Sequence, residues 1–386
     1  MSSSALTLVA GLDLSILPQQ LVNGLLLGSI YALIALGYTM VYGVLRLINF
    51  AHGEVFMLGA YAALFTSWAL GFGPESRGQP PQSSALYLVI MLLVSMGACA
   101  LIGALIELLA YRPMRNQPRI ASLITAIGVS LFIQYAGGLF LPQSPPPAIS
   151  EAVSPYRGVM TAVLKPPPAD LAATIDEIRA REQAAKSLAE AAKAENKPEA
   201  KGLEEEYRSI QRDLRAKVGE ADSQTVRITV PHGQLIMLVT TLVLMAVLRH
   251  IVLKTKTGRA MRAVSHDFDS AALMGVNVGR VVTLTFIIGS ALAGAGAMMY
   301  ATVLRTPLSP FLGVTPGIKA FVAAVLGGIG NIPGAVLGGL LMGVVETLVV
   351  WAGFSGFKDA VAFVVLIIVL LFRPGGLLGS SKVEKG

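Results

Sequence analysis

Charge in this chain is segregated, and that segregation limits the available folds more than any other feature. Residues 151–230 hold 13 Lys/Arg and 14 Asp/Glu, which is 27 of the chain's 53 charges, and the other 306 residues carry 26. A soluble domain is about 25% charged, so the larger part of the chain is too oily for an ordinary cytosolic enzyme. The pattern predicts a membrane protein with one soluble insertion. The insertion sums to −1 and the rest of the chain to +8, so the positive excess behind the net charge of +7 lies outside the insertion. That excess reads as basic membrane-flanking loops, not as a nucleic-acid surface. The lone Cys99 cannot form an internal disulfide. The stretch before Asp13 lacks the basic residue of a secretory signal, so none is expected.

A spanning helix needs about 20 apolar residues. Candidate spans are roughly 19–43, 54–73, 85–110, 120–141, 232–252, 281–302 and 357–373. The stretch 317–352 is also apolar, but Gly327, Gly328, Gly330, Pro333 and Gly334 interrupt it, so two short spans and a re-entrant hairpin both fit. The expected fold is an all-α polytopic membrane protein of about 8–9 transmembrane helices with a Gly-rich broken segment. The organisation expected is an N-terminal transmembrane half over 1–142, an insertion over 143–230, and a C-terminal transmembrane half over 231–380 containing a basic loop at 253–279.

Orientation follows from Lys and Arg in the short loops. One set of loops holds Arg46; Arg112, Arg115 and Arg119; Arg249, Lys254, Lys256, Arg259, Arg262 and Arg280; and Arg373, Lys382 and Lys385. The other set holds only Arg77, Arg305, Lys319 and Lys358. The first set is expected in the cytoplasm with the C-terminus. The N-terminus and the insertion are expected outside. Within the insertion, Leu171, Ile175, Ile178 and Leu188, then Leu203, Tyr207, Ile210, Leu214 and Val218, recur at three- and four-residue steps. They predict a helical hairpin over about 170–218, broken at Pro198. Pro145–Pro147 and Pro166–Pro168 would be stiff spacers. A solvated decoration and a docking surface both remain open for the hairpin.

Three segments carry the informative chemistry. In the first, Arg46-Leu-Ile-Asn49-Phe-Ala-His52-Gly53-Glu54 joins the first two spans. No second His or carboxylate stands at metal-ligand spacing, so no metal or catalytic group is expected, and a polar turn gating the inner mouth fits Asn49, His52 and Glu54 better. In the second, Lys254 to Asn277 carries Asp267 as an N-cap, a short helix over 268–274 and Gly275 as a left-handed stop. Such a helix, lying outside the membrane with little side-chain bulk at Ala271, Ala272 and Gly275, can enter a cleft and transmit force. An ordinary basic loop also fits. In the third, the Gly-rich break with Gly328 and Asn331 is a candidate lining of a transport route, and plain helix packing fits it equally. Among ionisable residues at membrane depth, Glu346 is the candidate buried acid. Glu107 is expected to snorkel toward the cytoplasmic face. No Walker loop, H-E-x-x-H or G-x-S-x-G is present.

These segments resemble, in order, the motifs of branched-chain amino acid ABC-transporter permeases, of the LivH-type more than the urea type, which usually has Met where Phe50 stands. The resemblance covers about 20–142 and 226–380. It rests on Asn49-Phe-Ala-His-Gly-Glu54; Gly258-Arg-Ala-Met-Arg-Ala with Leu273-Met-Gly-Val-Asn277; Lys319-Ala-Phe through Asn331-Ile-Pro-Gly-Ala; and Leu371-Phe-Arg-Pro-Gly-Gly-Leu-Leu378. It implies a bacterial inner-membrane subunit with a second, LivM-type permease, two ATPase subunits of LivG and LivF type that bind ATP-Mg, and a periplasmic binding protein for Leu, Ile or Val. This chain would bind no cofactor. Arg259, Arg262, Asp269, Ala272 and Gly275 match the family's coupling loop, whereas the role of Asn49, His52 and Glu54 stays open. The insertion is a departure, since family members have a much shorter loop there. A permease for urea, amides or other amino acids is the alternative. An ion-coupled secondary transporter would need a mid-membrane site, for which only Glu346 is available.

Overall fold

The computed structural model describes residues 14–46, 49–73, 85–115, 117–142, 158–194, 199–304 and 306–379. Asp13, Arg77, Pro145–Pro147, Asn196–Pro198, Arg305, Lys382 and Lys385 lie outside them, as does the side chain of Arg119. The chain divides into two compact units. One is Asp13–Gln19 with Val159–Val230, and the other is the rest.

In the larger unit, long apolar stretches become long helices because in a bilayer each backbone N–H and C=O must be satisfied within its own segment. They are α1 Leu17–Leu45, α2 His52–Ser67, α3 Ala85–Ile106 and α4 Arg119–Phe140 before the insertion. After it come α7 His232–Lys254, α8 Lys256–His266, α9 Phe268–Leu273, α10 Val278–Val303, α11 Val314–Gly327, α12 Ile332–Trp351 and α13 Ala360–Phe372. Among the described residues, seven of these, with their flanking turns, are long and apolar enough to cross a membrane. The chain is therefore a multi-pass helical membrane protein. α11 and α13 are apolar but have only 14 and 13 residues. At 1.5 Å per residue each reaches about 20 Å, short of the roughly 30 Å hydrocarbon core.

Small residues bring the helices together. Gly24-x-x-x-Gly28 on α1 faces Gly339-x-x-x-Gly343 on α12. A Cβ placed on Gly28 would stand 2.6 Å from the Gly339 oxygen and 2.6 Å from Leu340 Cα. Only hydrogen fits such a backbone-to-backbone approach. Elsewhere α10 packs against α2 and α3. There Ser95 Oγ donates both to Gly59 O at 2.9 Å and to Gly294 O at 2.8 Å, so one hydroxyl ties all three helices.

Two π-helical turns, Trp68–Phe72 and Glu107–Tyr111, extend α2 and α3. The second one corrects the expectation for Glu107. It does not snorkel: it is fully buried, with Oε1 paired to Arg115 and Oε2 accepting from Thr283 Oγ1 at 2.6 Å. Burial with two donors satisfies the carboxylate where it stands.

The smaller unit also corrects an expectation, because the chain is not all-α. Val159–Lys165 (β1) and Val226–Pro231 (β2) form a two-stranded sheet. Both segments are rich in β-branched residues, which pack on a pleated surface, and the sheet closes the ends of the insertion. Between the strands, α5 Ala169–Ala194 and α6 Ala200–Gln224 pack on each other. α6 runs past the expected end at 218. Leu171, Ile175, Ala221, Leu214 and Val218 form the seam. The Gln19 side chain joins the same unit, receiving the Thr229 N–H at 2.6 Å and donating to Thr229 O at 2.9 Å.

Candidate functional site

The loop between α7 and α10 is a stack of capped helices. Thr255 starts α8, its Oγ1 accepting from Gly258 N at 3.1 Å. Asp267 starts α9, its Oδ1 accepting from Ser270 N at 2.8 Å. Gly275, at φ +81°, ends that turn in the left-handed region, and Asn277 starts α10 by accepting from Arg280 N at 3.0 Å. Short polar side chains at these positions satisfy the orphan N–H groups of each first turn. The hydrogen bond from Ser270 N holds the Asp267 carboxyl below its ordinary range.

Of the expected loop residues, Arg259, Arg262, Asp269, Ala272 and Gly275 are all exposed, while Ala271 is buried under the tip. Arg262 also donates to Val252 O, tying α8 to the end of α7. Sequence reasoning missed what the tip presents. Leu273 and Met274 are 89% and 84% exposed. Two large apolar side chains in an otherwise basic loop were the available signal.

Asn49, His52 and Glu54 sit where α1 turns back into α2, and each does something different. Asn49 Oδ1 accepts from Tyr111 Oη at 2.9 Å and from Ala51 N at 3.1 Å, fastening the turn to the end of α3. The His52 ring lies edge-on to Tyr38, with centroids 4.5 Å apart, and fills the space left by Gly37. Glu54 is 2% exposed and reaches α4, where its Oε1 accepts from Gln134 Nε2 at 2.6 Å and Ser130 Oγ at 3.3 Å.

The Gly-rich break is a latch. Gly328 sits at φ +101°, and a side chain there would strike Gly379. Leu377 N and Leu378 N donate to Leu326 O at 2.8 Å and Gly327 O at 3.1 Å. Asn331 Oδ1 caps α12 through Gly334 N at 3.0 Å, while its Nδ2 donates to Leu378 O at 2.7 Å. The segment after α13 thus supplies partners for the open backbone of the break. Asn331 and Gly330 also line a cavity of about 560 Å³ with Thr39, Arg249, Arg262 and Ser265.

Glu346 stands apart from these groups. Its Oε2 accepts from Tyr31 Oη at 2.8 Å and its Oε1 from Lys319 Nζ at 2.6 Å. Lys319 bridges on to Asp359 Oδ1 at 2.7 Å, so one ammonium ties the ends of α11, α12 and α13. The sequence marks all three charges but not that they meet, since their separations follow no helical period. The structure therefore gathers the expected residues into four places: the α9 tip, the α1–α2 turn, the latch and the Lys319 network.

The family described as "Branched-chain amino acid transport system / permease component" matches residues 20–370. The chain is similar to the high-affinity branched-chain amino acid transport system permease protein BraD of Pseudomonas aeruginosa, with 36% identity covering 95% of this chain and 97% of that one. It is similar to the LivH permease protein of Escherichia coli K12, with 35% identity over the same shares. A probable LivH permease of Methanocaldococcus jannaschii is 31% identical over 33% of this chain and 42% of its own. No solved structure matches.

Proposed function

We propose, from the premise that the chain belongs to the branched-chain amino acid transport permease family, that it is one membrane subunit of an ATP-binding cassette importer for leucine, isoleucine and valine in the bacterial inner membrane. A second permease subunit completes the route. A binding protein delivers the amino acid from outside, and separate ATPase subunits bind and hydrolyse ATP-Mg. The N-terminus and the insertion face the periplasm, and the loop 253–279 and the C-terminus face the cytoplasm, a reading that the Lys/Arg distribution supports.

The observation that carries this reading is the α9 tip. A six-residue helix is capped at both ends, held between two spans, and presents Leu273 and Met274 to solvent beside Arg259, Arg262 and Asp269. Apolar side chains on a rigid projection suit a fitted groove on an ATPase subunit. Ala272 and Gly275 leave room for that fit, and α7 and α10 carry the push into the membrane. Asn49, His52 and Glu54, with Gly328 and Asn331, lie at the chain reversals where a gate would flex. Glu346 supports an ion-coupled carrier poorly, because Lys319 and Tyr31 already occupy both its oxygens.

The test is Ala272→Arg in the complete complex. Uptake and substrate-stimulated ATP hydrolysis should both fall at least tenfold with the complex still assembled. Wild-type rates in that variant would refute the assigned loop role. Deleting residues 166–222 examines the insertion, and full transport afterwards identifies it as a decoration.

A further inference from the structure

Among the described residues, three carboxylates are buried in the helices of the larger unit, and two have their charge answered. Glu107 pairs with Arg115, and Glu346 pairs with Lys319. Glu54 is the exception. Its Oε1 takes both hydrogen bonds from α4, its buried Oε2 has no partner, and no ion pair to it occurs among the described residues. Removing a carboxylate from water without a cation costs several kcal/mol. A carboxylate left in that state is poised for a donor from elsewhere.

The surroundings of Glu54 indicate what that donor belongs to. Glu54 lines a cavity of about 190 Å³ between α1, α2, α4 and α11, room for roughly six waters at ~30 Å³ each. The first turns of two helices border the same space, α2 at Gly53 and α11 at Val314 and Gly317. They approach closely, since a Cβ on Gly53 would stand 2.7 Å from Gly313 O and 3.3 Å from Gly317 Cα. Val314 N and Gly317 N already donate to Phe311 O and Gly313 O, so what these helix starts offer a negative group is the positive end of their dipoles. Tyr38, Ser130 and Gln134 add polar groups to the wall, and Phe50, Phe321, Ile318 and Leu131 give it an apolar side. One small space thus offers a carboxylate for a cation, helix starts for an anion, and aromatic and aliphatic surface.

We infer that this cavity is a binding station for a zwitterionic α-amino acid with an aliphatic side chain, anchored by its ammonium group on Glu54 Oε2. The ligand carboxylate lies toward the first turns of α2 and α11, and its side chain lies against Phe50 and Phe321. The inference rests on the importer reading above and goes beyond it. The permease itself reads the solute during passage instead of serving as a passive conduit behind the binding protein.

The experiment uses the complete complex in detergent and in proteoliposomes, with tritiated leucine as probe and its hydroxy analogue, which lacks the ammonium group, as competitor. Without the binding protein, the wild-type complex should bind leucine and prefer it over the analogue at least tenfold. Glu54→Gln should abolish that preference and slow ATP-driven uptake at least tenfold, and Glu54→Asp should restore part of both. Phe321→Trp leaves the carboxylate intact and fills the apolar end, so it should weaken leucine binding more than alanine binding. It keeps the inference testable if Glu54→Gln does not assemble. Equal leucine binding and preference in wild type and Glu54→Gln would overturn the inference. So would wild-type leucine binding in Phe321→Trp. Absence of ATP-driven leucine uptake by the wild-type complex would instead overturn the importer reading beneath it.

Discussion

Lys319 is the residue whose removal the structure prices most directly. Its ammonium is 2.6 Å from Glu346 and 2.7 Å from Asp359, and it lies 5.9 Å from the Tyr31 ring centroid. Lys319 and Glu346 are buried, whereas Asp359 is more than half exposed. The Asp359 arm is therefore worth at most about 1 kcal/mol. Lys319→Met strands Glu346 with only the Tyr31 hydroxyl, and breaking a buried pair from one side costs about 3–5 kcal/mol. Glu346→Leu leaves Lys319 with only the more exposed Asp359 and adds an unpaired Tyr31 hydroxyl, a further ~1–3 kcal/mol. The double variant removes both charges, so only the hydroxyl and imperfect packing remain, about 1–3 kcal/mol. Reversible unfolding in mixed micelles, run as a double-mutant cycle, should then show the pair coupled by at least ~2 kcal/mol. A Lys319→Met protein within about 0.5 kcal/mol of wild type, or single effects that simply add, would refute the assignment of this network as a structural tie.

The other predictions are shorter. Gly28→Ala pushes a Cβ against Gly339 O and Leu340 Cα and should destabilise by about 1–3 kcal/mol, whereas Gly128→Ala, with nothing within 4 Å, should be neutral or gain up to ~1 kcal/mol; unfolding curves that move the same way would refute the α1–α12 contact. Asn331→Ala removes the α12 cap and the hold on Leu378, so limited proteolysis after Phe372 should accelerate while the helix content by circular dichroism stays unchanged. The Asp267 carboxyl is held below its ordinary range by Ser270 N, so its folded pKa is depressed. Its capping contribution is present above the unfolded value of about 3.9 and is lost as pH falls through the folded value. The thermal stability of wild type should therefore exceed that of Asp267→Ala at neutral pH and converge on it in acid; a gap that persists unchanged at low pH would refute the cap.

Local signals explain which parts could be read from residues alone. The long helices follow from apolar length, because hydrocarbon leaves the backbone no partner outside its own helix. The α9 turn was legible because its cap and stop are residue types with their own backbone chemistry. Asp267 and Gly275 act within four residues of themselves. The insertion helices showed their three- and four-residue stripe for the same reason, whereas the strands flanking them were hidden by Pro-rich neighbours and by their dependence on each other. At the candidate sites, residue type drew attention to Asn49, Glu54 and Glu346 without revealing their partners. Tyr111 for Asn49, Gln134 for Glu54 and Lys319 for Glu346 are 62, 80 and 27 residues away.

Composition and order alone therefore determined that this chain crosses a membrane many times, carries one polar insertion and projects a short capped helix between two spans. Tertiary structure decided which buried charges are answered. Long-range pairing depends on which helix faces meet, and glycine contacts such as Gly28 with Gly339 set those faces. Glu346 found its cation across those faces, Glu107 took Arg115 from the turn that follows it, and Glu54 was left with an unpartnered buried oxygen.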